Sequence, residues 1–256
     1  SCKYINLAEQ TDADIVVSNY ARLWKDKILP ATKHQSFALC SPSSEEFRFQ
    51  GFFSVGTLSY AWGKLYRREF LRNHQIYFAD LSYAEDKLFN MECYICDAKY
   101  VFLEDTGYIY RKNDTSVSWQ YRPDSTQNWF KLANELKGWL EKKNKDPNKY
   151  ASLTRYLIFF AVFFDAKMEY MQHKKSIWAI RKVLKKYGTN PWGKKVFSEL
   201  SDRKRKLQLD ERMWKIMIRT FSWGMELQWY VLLATGIKIL VAQRVDERLS
   251  DTGMRE

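Results

Sequence analysis

The sequence reads YAWGKLYRREF at residues 60–70, YAEDKLFN at residues 83–90 and YIYRKNDTSVS at residues 108–118. In the middle segment, the adjacent carboxylates Glu85 and Asp86 precede Leu88 and Phe89, with apolar spacing typical of a helix. We therefore expect both carboxylates in the first helical turn, where the positive end of the helix dipole favours anions. A carboxylate held there is ionised near neutral pH and can accept a proton. An acidic helix start with no catalytic role would give the same pattern.

The order and spacing of these segments resemble the C-terminal part of the catalytic domain in bacterial family 2 glycosyltransferases, which have the GT-A fold. Members of that family carry an A-W-x-K-L-Y-x-R-E-x-L segment, an E-D pair that opens a helix, and a Y-R-x-x-x-x-S-x-S segment after two short strands. All three occur here in the same order. The resemblance implies an α/β fold, with an incomplete GT-A (nucleotide-diphospho-sugar transferase-like) sheet followed by an all-helical region.

The same resemblance implies an inverting transfer of sugar from a nucleotide-sugar donor to the hydroxyl of a glycan or lipid-linked acceptor, in surface polysaccharide synthesis. It identifies Asp86 as the general base and Glu85 as a residue that orients this base or the acceptor. Trp62 would line the acceptor side and stack on a sugar, although core packing explains it equally well. Lys64 could pair with a phosphate or a carboxylate, or be an ordinary surface lysine.

The charged, hydroxyl-rich loop 111–118 is expected on the donor side of the site. Arginine offers a planar fork for diphosphate oxygens, and hydroxyl groups add donors. By resemblance, the donor-side candidates are Arg111, Ser116 and Ser118. A solvated surface loop without a ligand has the same composition.

Asp12 and Asp14 fit the D-x-D metal motif of glycosyltransferases in form but not in context. In the family, D-x-D ends a strand and precedes a helix, whereas here both residues follow a helical pattern and precede the buried strand predicted at residues 15–20. We therefore expect loop residues here and no metal ligands in this chain. The Mn²⁺ or Mg²⁺ that the resemblance implies would be held by an upstream half, without which these 256 residues should be inactive. Since the first residue is not Met, we expect the natural chain to begin earlier.

Charge divides the chain into residues 1–124, the predicted catalytic portion, and residues 125–256, a predicted basic helical region. The first part holds 15 Lys/Arg and 16 Asp/Glu, a net charge of −1, whereas the second holds 27 and 14, a net charge of +13. Such asymmetry favours an anionic partner or a solvated basic surface.

The chain lacks a signal-peptide pattern at its start. Few cysteines fit a reducing cytoplasm, so we expect a cytoplasmic protein that can lie on the inner face of the membrane.

In the basic half, helix breaks are predicted at Pro147, residues 188–191 and residues 222–224. Residues 210–221 predict an amphipathic helix, with Met213, Met217 and Phe221 on its apolar face and Trp214 and Ile218 beside them. Four cations precede it at residues 203–206. This pattern is typical either of an interfacial helix or of a helix packed on the protein with a solvated basic face. A basic membrane-surface or nucleic-acid-binding module without catalysis is thus the alternative function, although no nucleic-acid motif supports the latter.

Three further local predictions concern the first half. Residues 67–73 predict a short helix, and residues 99–103 and 108–110 predict two strands. Cys93 and Cys96 form a single C-x-x-C without a second pair. Because a structural zinc site needs four ligands, we interpret them as two positions on one packed helix face.

Overall fold

Residues 2–24, 27–39, 44–111, 121–173 and 176–243 are described in a computed structural model of the chain. They form a mixed α/β protein with ten α-helices and a small sheet. This confirms the predicted α/β class, while the incompleteness of the sheet stays a prediction. The chain divides into two compact units. The described part of the first lies within residues 1–120 and 138–146, and that of the second lies within residues 121–137 and 147–250.

The first unit is built on a five-stranded sheet in which β1 and β5 are central and parallel. The strands are β1 Ile15–Trp24, β2 Lys27–Pro30, β3 Phe37–Leu39, β4 Lys64–Tyr66 and β5 Tyr100–Arg111. β2 and β4 both pair antiparallel with β1, and β3 pairs antiparallel with β5. The predicted strand at residues 15–20 is confirmed, and Ile15, Val16 and Val17 are fully buried, as expected for a continuous apolar run in a central strand.

The two strands predicted at residues 99–103 and 108–110 are in fact one strand, β5. Its pairing with β1 shifts register around Asn19, which lies opposite Thr106. The side-chain amide of Asn19 donates to the carbonyl oxygens of Leu103 and Glu104, at 3.3 and 3.0 Å. This irregularity interrupts the alternation of side chains without ending the strand, and the sequence pattern therefore looked like two strands.

Four α-helices belong to the first unit: α1 Cys2–Thr11, α2 Glu45–Phe49, α3 Arg68–His74 and α4 Glu85–Ile95. A π-helical turn at Gln50–Ser54 and a 3-10 turn at Thr57–Ser59 follow α2. The helices predicted at the start of the chain and at residues 67–73 are both confirmed. Cys93 and Cys96 are buried free thiols at the end of α4, as their packed-face interpretation predicts.

Six helices follow β5: α5 Ser125–Lys142, α6 Pro147–Gln172, α7 Ile177–Thr189, α8 Pro191–Ser201, α9 Arg212–Glu226 and α10 Tyr230–Ala242. The second unit is helical and consists of residues 125–137 of α5 together with α6 to α10. Pro147 and Pro191 occupy first helical positions, and the Asn190 side chain caps α8 by accepting from the Trp192 N–H at 2.9 Å. The break predicted at residues 222–224 is wrong, because α9 continues through it. A Cβ on Gly224 would lie 3.0 Å from Leu233, so this glycine permits close helix packing and does not end the helix.

The apolar run at residues 156–164 lies inside α6, and most of its side chains are buried. A helix that is apolar around its circumference forms the core of a helical unit. Among the described residues, none of the helices has both the length and the hydrophobicity that crossing a lipid bilayer requires.

Candidate functional site

The predicted position of Glu85 and Asp86 is confirmed: they are the first two residues of α4. The residue before them, Ala84, has a φ of 62°, a left-handed conformation that is uncommon without glycine. The helix is anchored by buried side chains that follow, including Leu88 and Met91. Both carboxylates are half-buried at the positive end of the helix dipole.

The carboxylate of Asp86 has one oxygen bound to the backbone of another element. The N–H of Ala61, in the turn before β4, donates to Oδ2 of Asp86 at 3.0 Å. Among the residues that the structure describes, Oδ1 has no hydrogen-bond partner. One oxygen is therefore fixed in place while the other can accept a proton from a ligand.

Lys64 stabilises the turn that contains Ala61 through hydrogen bonds from its side-chain ammonium. Its ammonium donates to the carbonyl oxygens of Thr57 at 2.7 Å, of Tyr60, and of Trp62 at 3.4 Å. Burial lowers the pKa of Lys64 to about 7, and the negative charge of Asp86 opposes that change. Lys64 is thus half-buried and engaged with backbone carbonyls, so it is not the ordinary surface lysine considered from sequence. Its pairing with a phosphate or a carboxylate stays a prediction.

Asn90 and Tyr66, which were not predicted as site residues from sequence, also stabilise this turn through hydrogen bonds. Asn90 lies one helical turn after Asp86 and donates to the carbonyl oxygens of Tyr60 and Asp86, at 3.2 and 2.8 Å. Tyr66 donates to Oδ1 of Asn90 at 2.9 Å. A polar residue four positions after Asp86, inside the apolar series Leu88, Phe89 and Met91, is the signal that could have identified Asn90.

Trp62 belongs to an aromatic cluster, which we define as Tyr20, Tyr60, Trp62, Tyr108 and Tyr110. The indole stacks with Tyr60 and Tyr108, each at a centroid distance of 4.6 Å, and with Tyr110 at 5.6 Å. Tyr20 meets it edge-on at 4.8 Å. Contacts inside the protein thus cover much of the Trp62 ring, while Tyr60 and Tyr108 are each 36% exposed.

The turn at residues 57–64 contains Trp62 and Lys64, and its Ala61 N–H donates to Asp86. The structure therefore places these three predicted site residues close together. Arg111 is the exposed last residue of β5 and follows Tyr110, so the strand leads from the aromatic cluster to the predicted donor-side loop. Ser116 and Ser118 lie outside the described residues.

Asp12 and Asp14 form ion pairs within the first unit. Asp12 pairs with Arg67 at 2.8 Å and with Lys99 at 2.5 Å, and Asp14 accepts from the Lys99 N–H at 2.9 Å. Lys99 and Arg67 lower the pKa of Asp12. Two carboxylates matched by two cations do not fit a divalent metal ion, which needs more oxygen ligands and uncompensated charge. In the described ranges, no cluster of three or more His, Cys, Asp or Glu could hold a metal.

A separate cleft of about 640 Å³ lies between α1 and the middle of β5. Asn6, Gln10, Ser36 and Glu104 are among its lining residues, and none of the predicted site residues belongs to them. Its wall therefore does not include Asp86 or the aromatic cluster.

The solved structures that share this fold include two of the same protein. One is S. aureus TarS 1–349 in complex with UDP-GlcNAc, with a TM-score of 0.57 and 13% sequence identity, covering 94% of this chain and 63% of that chain. The other is S. aureus TarS 1–349 alone, with a TM-score of 0.53 and 12% identity, covering 94% and 62%. The chain therefore spans less than two thirds of the length of either structure. No profile of a known protein family matches the sequence, and no curated protein matches it.

Proposed function

We propose that this chain is the acceptor-side part of an inverting glycosyltransferase that uses a nucleotide-sugar donor. The observation that carries the proposal is the Asp86 carboxylate, with one oxygen held by the Ala61 N–H and the other without a partner among the described residues. Two findings support it: the family 2 resemblance of residues 60–118, and the fold shared with a TarS structure that contains the nucleotide sugar UDP-GlcNAc.

In the proposed reaction, Oδ1 of Asp86 takes the proton of the acceptor hydroxyl. The acceptor oxygen attacks the anomeric carbon from the face opposite the nucleoside diphosphate. The bond from that carbon to the diphosphate breaks, and the diphosphate leaves with the electron pair. One displacement inverts the configuration at the anomeric carbon. Glu85 orients Asp86 or the acceptor.

The remaining site residues are proposed to stabilise the position of Asp86, to contact the acceptor or to contact the donor. Lys64 and Asn90 hold the turn that donates to Asp86, so we propose that they keep the base in position. The exposed parts of Tyr60 and Tyr108 in the aromatic cluster offer apolar surface to a sugar ring. Arg111, Ser116 and Ser118 are proposed to approach the donor.

The Mn²⁺ or Mg²⁺ that the resemblance implies does not fit Asp12 and Asp14, whose carboxylates are paired with Arg67 and Lys99. We propose that the metal and most of the donor site belong to residues outside this chain. The acceptor would be a glycan or a lipid-linked glycan, and the reaction would take place on the cytoplasmic face of the membrane.

Calorimetry with UDP-GlcNAc and Mn²⁺ should show weak or undetectable binding to the 256-residue chain. Micromolar, metal-dependent binding would contradict this division.

The decisive experiment replaces Asp86 with Asn in a longer protein that includes a D-x-D half. A general base contributes on the order of 10²–10⁴-fold to rate, so kcat should fall at least about 100-fold while donor affinity is unchanged. Glu69→Gln is the matched control, because Glu69 is an exposed carboxylate in the first turn of α3. If Asp86→Asn keeps kcat within about threefold of the parent enzyme, Asp86 is not the base.

A further inference from the structure

The second unit presents an apolar surface that its own helices leave uncovered. The sequence predicts that Met213, Met217 and Phe221 share one apolar face of α9, with Trp214 and Ile218 beside them, and the structure buries only part of this face. Phe221 is buried together with Trp214 and Ile218, whereas Met213 is exposed. The helix therefore buries one apolar side and displays another.

The displayed side continues from α9 onto the start of α10. We define the α9–α10 apolar stripe as Met213, Ile216, Trp223, Leu227, Trp229 and Leu232, each between 44% and 64% exposed. Its three members in α9 are spaced three and seven residues apart and Leu227, the residue that ends the helix, follows four residues later, so they lie on one side of the helix. The rings of Trp223 and Trp229 are in contact at a centroid distance of 5.0 Å, which joins the two helices into one surface.

A run of four exposed cations, residues 203–206, is held beside this helix. Arg219 of α9 donates to the carbonyl oxygen of Asp202 at 2.5 Å and to that of Arg205. These bonds attach the segment between α8 and α9 to the edge of the displayed side. Within the described ranges, none of the four cations forms an ion pair with a carboxylate. Residues 202–232 hold seven Lys/Arg and four Asp/Glu.

We propose that the α9–α10 apolar stripe and the cations at residues 203–206 form a docking surface for an anionic lipid bilayer. Tryptophan side chains suit the boundary between lipid tails and headgroups, and the cations suit anionic headgroups. A second copy of the chain is a poorer occupant, because two identical surfaces of net positive charge repel each other. A nucleic acid is also poorer, since aliphatic side chains offer nothing to its phosphates. The proposal does not depend on sugar transfer.

The test is co-sedimentation of the 256-residue chain with vesicles, either equal parts phosphatidylglycerol and phosphatidylcholine or phosphatidylcholine alone. We expect binding to the anionic vesicles and its weakening in high salt. Replacing residues 203–206 with Gln should lower partitioning on the order of a hundredfold or more. The double variant Trp223→Gln/Leu232→Gln should lower it by about tenfold or more through lost apolar burial.

Two matched controls decide specificity. Trp178→Gln removes an exposed tryptophan from α7, and a fourfold Gln variant of Lys182, Lys185, Lys194 and Lys195 removes four cations from α7 and α8. Both should bind like the wild type, with helical content unchanged by circular dichroism. The proposal is overturned if the wild type does not bind, or if the controls lose as much binding as the stripe variants. It is also overturned if the double variant binds vesicles normally but converts a dimer into a monomer in sedimentation velocity, or if duplex DNA is bound in preference to vesicles.

Discussion

The backbone N–H of Ala61 donates to Oδ2 of Asp86 at 3.0 Å, which joins the turn before β4 to the first turn of α4. This contact predicts a stability difference between two substitutions in the 256-residue chain. Asp86→Ala should lower the free energy of unfolding by about 1–2 kcal/mol, because it removes a charge-assisted hydrogen bond and an anion at the helix start. Asp86→Asn keeps an acceptor and should lose less than about 0.5 kcal/mol. Urea denaturation measures both, and equal losses would show that the bond contributes nothing.

Lys64 should matter for stability through the carbonyl oxygens that it binds. Lys64→Met keeps the aliphatic chain but leaves the carbonyls of Thr57, Tyr60 and Trp62 without this donor. We expect a loss of about 2 kcal/mol in the free energy of unfolding at pH 7. Lys33→Met is the control, since Lys33 is exposed and should change stability by less than about 0.5 kcal/mol. A Lys64→Met variant as stable as this control would rule out the supporting role.

The pH dependence of stability gives a second test of Lys64. Burial lowers its pKa to about 7 in the folded protein, below the ordinary value of 10.5. Between these values the unfolded chain binds more protons, so this group makes stability rise with pH from about 7 to about 10, by at most about 1.4 kcal/mol per pH unit. Burial also lowers the pKa of Lys87, to about 8, so Lys64→Met should reduce the rise without removing it. An unchanged slope between pH 7 and 8 would contradict the assignment.

Sequence reasoning located the start of α4 because its determinants are local. Glu85 and Asp86 precede an apolar helical series, and both the dipole and the series are properties of a few neighbouring residues. The partners of Asp86 could not be found this way, since Ala61 is 25 positions away and its N–H is not encoded by a side chain. The acceptors of Lys64 could not be found for the same reason, because they are backbone carbonyls, which leave no mark in the sequence.

The face of α9 could not be read from sequence for a different reason. Apolar residues occupy most of its circumference, including Met213, Trp214, Ile216 and Ile218. A period of 3.6 residues shows that a helix forms, but it does not select the packed side when two sides are apolar. In the structure Trp214 and Ile218 are buried, and the Trp214 ring lies 5.7 Å from that of Phe160 in α6, a contact that the α9 sequence does not encode.

A buried carboxylate in the second unit should be its most sensitive polar group. Asp165 accepts hydrogen bonds from Ser125 at 2.5 Å, Thr126 at 2.8 Å, Tyr187 at 2.8 Å and Trp129 at 3.3 Å. Asp165→Ala leaves these buried donors without their acceptor and should cost about 3–5 kcal/mol of the free energy of unfolding. Met171→Ala, an exposed change in the same helix, is the control and should cost less than about 0.5 kcal/mol. A loss of under about 1 kcal/mol for Asp165→Ala would contradict this prediction.

Burial also raises the pKa of Asp165, against the opposing effect of its hydrogen bonds. A carboxyl group whose folded pKa exceeds its unfolded value binds more protons in the folded state. Its contribution is fully present below about pH 3.8 and is lost as the pH rises through the folded pKa. Asp165→Asn cannot titrate, so the stability of the wild type relative to this variant should decrease as the pH rises through the acidic range. An increase over that range would contradict the sign.

Gly193 and Gly138 predict opposite results for the same substitution. A Cβ on Gly193, in the first turn of α8, would lie 1.8 Å from the carbonyl oxygen of Tyr187, whereas a Cβ on Gly138 in α5 would meet nothing within 4 Å. Gly193→Ala should therefore destabilise the protein by about 3 kcal/mol or more, because backbone must move to relieve the overlap. Gly138→Ala should stabilise it by about 0.5–1 kcal/mol through helix propensity. Scanning calorimetry should show a lower Tm for Gly193→Ala and a higher Tm for Gly138→Ala. Shifts in the same direction would mean that α7 and α8 do not approach each other as closely as the Gly193–Tyr187 contact requires.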